Sequence, residues 1–97
     1  MLSEHWKLIK NDFVDYEKTQ DETFLIEDMF QAVNNDLAID SGWYGKWYGD
    51  ENGKFITVLI KDADWEVPLV KIVVHRLEDV KWSILVCEEY ALRLGSG

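Results

Sequence analysis

The chain has 97 residues, with 10 Lys and Arg against 19 Asp and Glu, a formal charge of −9 at pH 7. That length holds one domain with one core and excludes a cleft between lobes, while an apolar content of 47%, including thirteen aromatics, excludes a disordered chain. Charge of this sign opposes non-specific attachment to nucleic acid or to an anionic membrane and favours basic partners.

Taken in order, Ser3 reads as the N-cap of a first helix, with Glu4 near its positive end. Trp6, Ile9, Phe13 and Tyr16 recur at helical spacing and place that helix as far as about Lys18, with Asp12 and Asp15 off the apolar face. After the polar break at Thr19-Gln20, a second helix is expected to end near Asn34-Asn35. Its apolar side is Phe24, Leu25, Met29, Ala32 and Val33, and its wet side is Asp21, Glu22, Glu27 and Asp28. So short a link predicts an antiparallel helix pair.

From Gly42 the glycines at 42, 45, 49 and 53 disfavour helix. Gly42-Trp43-Tyr44-Gly45 is nearly repeated as Lys46-Trp47-Tyr48-Gly49; an extended chain would turn both tryptophans one way and both tyrosines the other. Asp50-Glu51-Asn52-Gly53 is a turn signal that predicts a hairpin with Lys54 to Lys61. Phe55 to Ile60 is apolar on both faces apart from Thr57, the pattern of a central strand covered on both sides or lying at an interface. Asp62-Ala63-Asp64 turns the chain, and a third strand follows with Pro68 near its start and Leu69 to His75 as its body.

Leu77 to Leu94 fits two templates. Leu77, Val80, Ile84, Cys87, Ala91 and Leu94 make one helical stripe, yet Val80, Trp82, Ile84 and Val86 also alternate. The β-branched and aromatic enrichment favours strand as far as Cys87, with helix from Glu88 onwards; helix throughout is the alternative. Gly95-Ser96-Gly97 reads as a linker or tag remnant, which leaves residues 1–94 as a single acidic α+β domain. The expected architecture is two N-terminal helices packed on a three- to four-stranded, mainly antiparallel sheet.

The charge is unevenly placed. Asn11 to Asp40 carries nine carboxylates against Lys18 alone, a formal −8, and the other sixty-seven residues add only −1. A solvated helix face explains such a run in many proteins. The sharper reading is mimicry of a nucleic-acid backbone, since carboxylates three or four apart on a helix are about 5–6 Å apart at Cβ, comparable with successive phosphates. On that reading Asp12, Asp15, Asp21, Glu22, Glu27 and Asp28 stand in for phosphates, and Asp36 and Asp40 extend the line.

Other motifs lead elsewhere or nowhere. Asp62-x-Asp64-x-Glu66 opens like a calcium loop, but Val67 stands where that loop needs glycine and Val73 where it needs glutamate, so a charged turn is the better reading. His5 and His75 lack a ligand partner at metal-binding spacing, and no phosphate loop or serine elbow is present, so neither a cofactor nor a catalytic role is expected. Cys87, beside Glu88 and Glu89 in an apolar run, reads as a buried structural thiol. A lone cysteine allows no intrachain disulfide, the N-terminus lacks the pattern of a signal peptide, and no apolar run is long enough for a membrane span; the cytoplasm is the expected compartment. Trp43, Tyr44, Trp47 and Tyr48 are candidate interface anchors, with core packing as the plainer reading and self-association left open.

Over nearly its full length the chain resembles the anti-restriction nuclease proteins of T-even phages (Arn), small acidic DNA mimics. The resemblance is carried by Trp6-Lys7-Leu8-Ile9-Lys10-Asn11-Asp12-Phe13, the acidic stretch to Asp40 and the Trp/Tyr-rich hairpin. It implies inhibition of the host restriction enzyme McrBC at its DNA-binding surface, and binding to the nucleoid protein H-NS. No family motif maps onto individual residues here, so the candidate site rests on charge alone. An immunity protein that neutralises a basic toxin nuclease uses the same electrostatics and is the alternative; a small non-catalytic structural protein is the third reading.

Overall fold

The computed structural model describes residues 5–19, 26, 28–47 and 50–94. Five strands lie in one antiparallel sheet in chain order: β1 (Lys7–Asn11), β2 (Phe30–Asn34), β3 (Leu37–Tyr44), β4 (Lys54–Lys61) and β5 (Val70–Val74). Helix α1 (Asp12–Thr19) follows β1, and α2 (Val80–Arg93) closes the described chain after a 3-10 turn at Leu77–Asp79.

This overturns the expected pair of N-terminal helices. Among the described residues one α-helix is N-terminal, one is C-terminal, and the sheet has five strands. Residues 7–11, read as the middle of a first helix, pair with β2 through a bulge between Leu8 and Lys10. Phe13 and Tyr16 are buried on α1, and Trp6 is buried ahead of β1, but Ile9 is exposed, because it sits at the bulge of β1 and not on a helix. Ser3 and Glu4 lie outside the described residues.

The expected second helix is contradicted over Phe30–Asn34. There Phe30, Ala32 and Asn34 are buried while Gln31 and Val33 face away, a period of two. The segment joins β3 by a two-residue turn at Asn35-Asp36, with Asn35 at φ 55°, a left-handed conformation that asparagine tolerates. Pairing with strands on both sides satisfies the backbone of this segment, whereas its helical spacing offered one apolar face only. Residues 21–25 and 27, the earlier part of that expected helix, lie outside the described residues.

The β3–β4 hairpin forms as expected, from Trp43↔Phe55 and Tyr44↔Lys54 down to Leu37↔Lys61, although β3 begins five residues before Gly42. The expected alternation of two Trp-Tyr pairs fails because β3 stops at Tyr44. Trp43 is 2% exposed and Trp47 is 55% exposed. A Cβ on Gly45 would lie 2.7 Å from Gly53 Cα, and one on Gly53 would lie 2.4 Å from the Trp43 ring, so the loop closes over the indole only because both positions are glycine.

Leu77 to Leu94 is helical, against the strand reading. Val80, Ser83, Ile84, Cys87 and Ala91 are buried, the inward stripe of α2. Glu78 and Asp79 before its first turn and Arg93 in its last turn complement the helix dipole. The β propensity of Val80, Trp82, Ile84 and Val86 is outweighed because α2 covers one face of the sheet along that stripe.

Both helices lie on the same face. Phe13 and Tyr16 from α1 and Ile84, Cys87 and Ala91 from α2 meet Phe30, Leu37, Ile39, Trp43, Phe55 and Leu59 from the strands. Phe55 is central, with ring centroids 4.8 Å from Trp43 and 5.8 Å from Phe13. Each such side chain contributes about 1.5–3 kcal/mol by leaving water. Through this core runs a chain of hydroxyls: Ser41 Oγ lies 2.7 Å from Thr57 Oγ1, which lies 2.7 Å from Ser83 Oγ, which donates to the Val80 carbonyl at 2.6 Å. The last bond sets the direction of the rest. With its own hydrogen committed, Ser83 must accept from Thr57, and Thr57 in turn must accept from Ser41. Three fully buried hydroxyls are thereby satisfied, and α2 is fixed in register on β3 and β4.

Among the described residues no helix is long and apolar enough to cross a membrane.

Candidate partner-binding surface

Among the described residues the second face of the sheet carries no helix. Its outward residues form rows across the strands, and one row spans all five: Lys10, Gln31, Asp40, Val58 and Lys71. A second row runs Lys7, Val33, Ala38 and Ile60, and a third pairs Ile56 with Val73. An open antiparallel face ordinarily alternates to polar residues. Here β4 carries Ile56, Val58 and a buried Ile60, and Lys54 at its start is its polar side chain on this face. Trp65, in the loop between β4 and β5, lines two grooves on this face, of about 510 Å³ and about 360 Å³.

The candidate carboxylates fall in three places. Asp12, at the start of α1, and Asp28 share one amine, with Lys10 Nζ 3.3 Å from Asp12 and 3.8 Å from Asp28. Asp40 belongs with them electrically: half-buried on β3, its carboxyl is pushed up to about 6 by burial first and by the negative charge of Asp28 second, with Lys10 partly offsetting both. Asp36 sits in the β2–β3 turn, 3.9 Å from Lys61, and Asp15 is exposed on α1. Asp21, Glu22 and Glu27 lie outside the described residues. The helical pitch that motivated a single row therefore applies to Asp12 and Asp15 alone among the described residues. The Lys10 pairs are open to water and worth at most about 1 kcal/mol each, so one amine leaves the Asp12, Asp28 and Asp40 group acidic.

Of the candidate aromatics, Trp43 is a core residue, Trp47 is exposed in the β3–β4 loop, and Tyr44 stands on the open face; Tyr48 lies outside the described residues. In the same loop Asp50 is held well below its ordinary value, first by the backbone N–H of Lys46 at 3.0 Å and then by that of Asn52 at 3.1 Å. Its carboxylate orders the turn. Asp64 plays a similar part near β5, accepting from the Val67 N–H at 3.3 Å. Cys87 is fully buried, and burial pushes its thiol up to about 12.

Sequence reasoning did not find Trp65, Glu66 and Lys71 as surface partners of Asp40. All line the larger groove with it, and the signal for them was the two-faced apolar pattern of Phe55 to Ile60.

Comparison with protein-family models, with characterised proteins and with solved structures gives no match. The likeness to anti-restriction proteins therefore stands on the residues that suggested it.

Proposed function

We propose that this chain is a non-catalytic acidic inhibitor that occupies the basic, nucleic-acid-binding surface of another protein in the host cytoplasm. The observation that carries the reading is the concentration of charge: −8 over residues 11–40, with Lys10 the one amine within ion-pair reach of Asp12 and Asp28 among the described residues. Lysines and arginines that hold phosphates would hold these carboxylates, and release of ions condensed on the partner's site would favour the exchange. The resemblance to anti-restriction nuclease proteins makes McrBC the first partner to test and H-NS the second.

The immunity-protein reading is favoured by a separate observation, the exposed Trp65, Leu69 and Val73 around the open face. Affinity for a single partner rests on buried aromatic and aliphatic anchors as well as on charge, whereas mimicry of a phosphate backbone makes no use of them.

The test is competition. Partner bound to labelled duplex DNA is titrated with the protein; stoichiometric release that weakens steeply with salt is expected. The variant D15K/D28K/D36K should lose at least tenfold in competition. If it competes as well as the parent chain, the acidic surface is not what the partner grips and the proposal fails.

A further inference from the structure

We propose that the groove between Tyr44 and Trp65 on the open sheet face receives an arginine side chain of the basic partner, with Asp40 and Glu66 as its counter-charges. This rests on the inhibitor reading for the partner's identity, while the groove is defined by its own lining of Asp40, Tyr44, Val58, Trp65, Glu66 and Lys71.

Asp40 sits at the middle of the face, paired with Gln31 on one side and Val58 on the other, two strands from Lys10 and two from Lys71. Strand spacing puts each lysine's backbone about 10 Å away. No hydrogen bond or ion pair within 4.0 Å reaches its carboxylate among the described residues, and the field of Lys10 only partly relieves its burial. A half-desolvated carboxylate between Gln31 and Val58 is costly until a cation meets it. The 510 Å³ groove gives room for one, and its aromatic walls suit a guanidinium, which is planar, weakly hydrated and attracted to ring faces.

The charge of the chain selects the occupant. A second copy of this chain would bring another −9 against the first, and the like charges oppose face-to-face pairing. A metal ion finds too few ligands, since no group of three His, Cys, Asp or Glu comes together among the described residues. A basic protein meets both the aliphatic field and the carboxylates. Lys71, on the groove's far wall, opposes any cationic guest and so reports the sign of the guest's charge.

The probe is N-acetyl-arginine amide, titrated into isotope-labelled full chain at pH 8, with amide and indole signals followed by NMR. Saturable shifts centred on Asp40, Val58, Trp65 and Lys71 are expected in the millimolar range, with N-acetyl-lysine amide at least threefold weaker. D40N and W65A should each weaken binding at least threefold while the amide spectrum stays folded, and K71Q should strengthen it. Equal binding of the two amides, binding unchanged by D40N, or weakening by K71Q would each overturn the proposal. A groove that binds the amide in a chain unable to displace DNA from any basic protein would separate this site from the inhibitor reading, and displacement of DNA that D40N and W65A leave untouched would separate them in the opposite sense.

Discussion

The two faces of one sheet are built from alternate residues of the same strands and end in opposite conditions. On β4, Phe55, Thr57 and Leu59 point into a sealed core under α1 and α2, while Ile56 and Val58, equally apolar, point at a groove open to water beside Trp65, and Ile60 at the end of that row is itself buried. The one polar residue of that strand's interior faces inward. Thr57 is tolerated there because Ser41 and Ser83 complete its hydrogen bonds, whereas Asp40, on the open face, has no comparable partner among the described residues. In the closed core the hydroxyls of Ser41, Thr57 and Ser83 satisfy one another, although the indole N–H of Trp6 is buried there without an acceptor among the described residues. The open face leaves Asp40 half-exposed to water and without an ion pair among the described residues, the place proposed above for a cation of the partner.

The strongest way to break this contrast is to shorten one side chain on each face. Phe55→Ala removes a ring that touches Trp43 and Phe13 and should cost about 3–5 kcal/mol in urea unfolding, while Val58→Ala should cost less than about 1 kcal/mol. Equal losses would mean that the second face is covered in solution and that the two faces are alike.

A smaller effect tests the direction of the hydroxyl chain. Thr57→Val leaves the Ser41 hydroxyl without an acceptor and Ser83 without a donor, and should cost about 2 kcal/mol. Ser41→Ala strands no hydrogen, because Thr57 still donates to Ser83, and should cost about 1 kcal/mol or less. Comparable losses at both positions would reverse the order of donors. Thermal unfolding of the two variants side by side decides it.

These same residues explain what sequence could and could not reveal. The β3–β4 hairpin was legible because a turn cluster sat between two strand patterns, and Val70–Val74 because Asp62-Ala63-Asp64 and Pro68 bounded it. The helix α2 was not, since Val80, Trp82, Ile84 and Val86 alternate as in a strand while Val80, Ile84, Cys87 and Ala91 make a helical stripe, and only packing on the sheet chooses between them. At β2, Met29, Ala32 and Val33 matched a helical period as well as Phe30, Ala32 and Asn34 matched a strand. Pairing on both sides decided between them, and pairing is a long-range fact. The acidic bias was fully legible as charge but not as geometry, because positions three and four apart share a face on a helix and part company across a strand and a turn.

The smallest predicted effect sharpens the comparison most, since it reads the open face directly. The Asp40 carboxyl is raised from 3.8 to about 6 by burial, then by Asp28, against the partial relief of Lys10. A raised carboxyl means that the folded chain holds the proton more tightly than the unfolded one, so this group destabilises the fold above pH 6 and ceases to do so as the pH falls through 6 towards 3.8. Taken without screening, the shift corresponds to about 3 kcal/mol at pH 8; the group is half open to water, which brings the effect down to about 1 kcal/mol. Asp40→Asn should therefore be the more stable protein at pH 8 by about 1 kcal/mol, and the advantage should vanish by about pH 4. Urea titrations of both chains at several pH values measure it. An advantage that persists unchanged at low pH would assign the gain to side-chain packing, and the open face would then hold no stored charge for a partner to relieve.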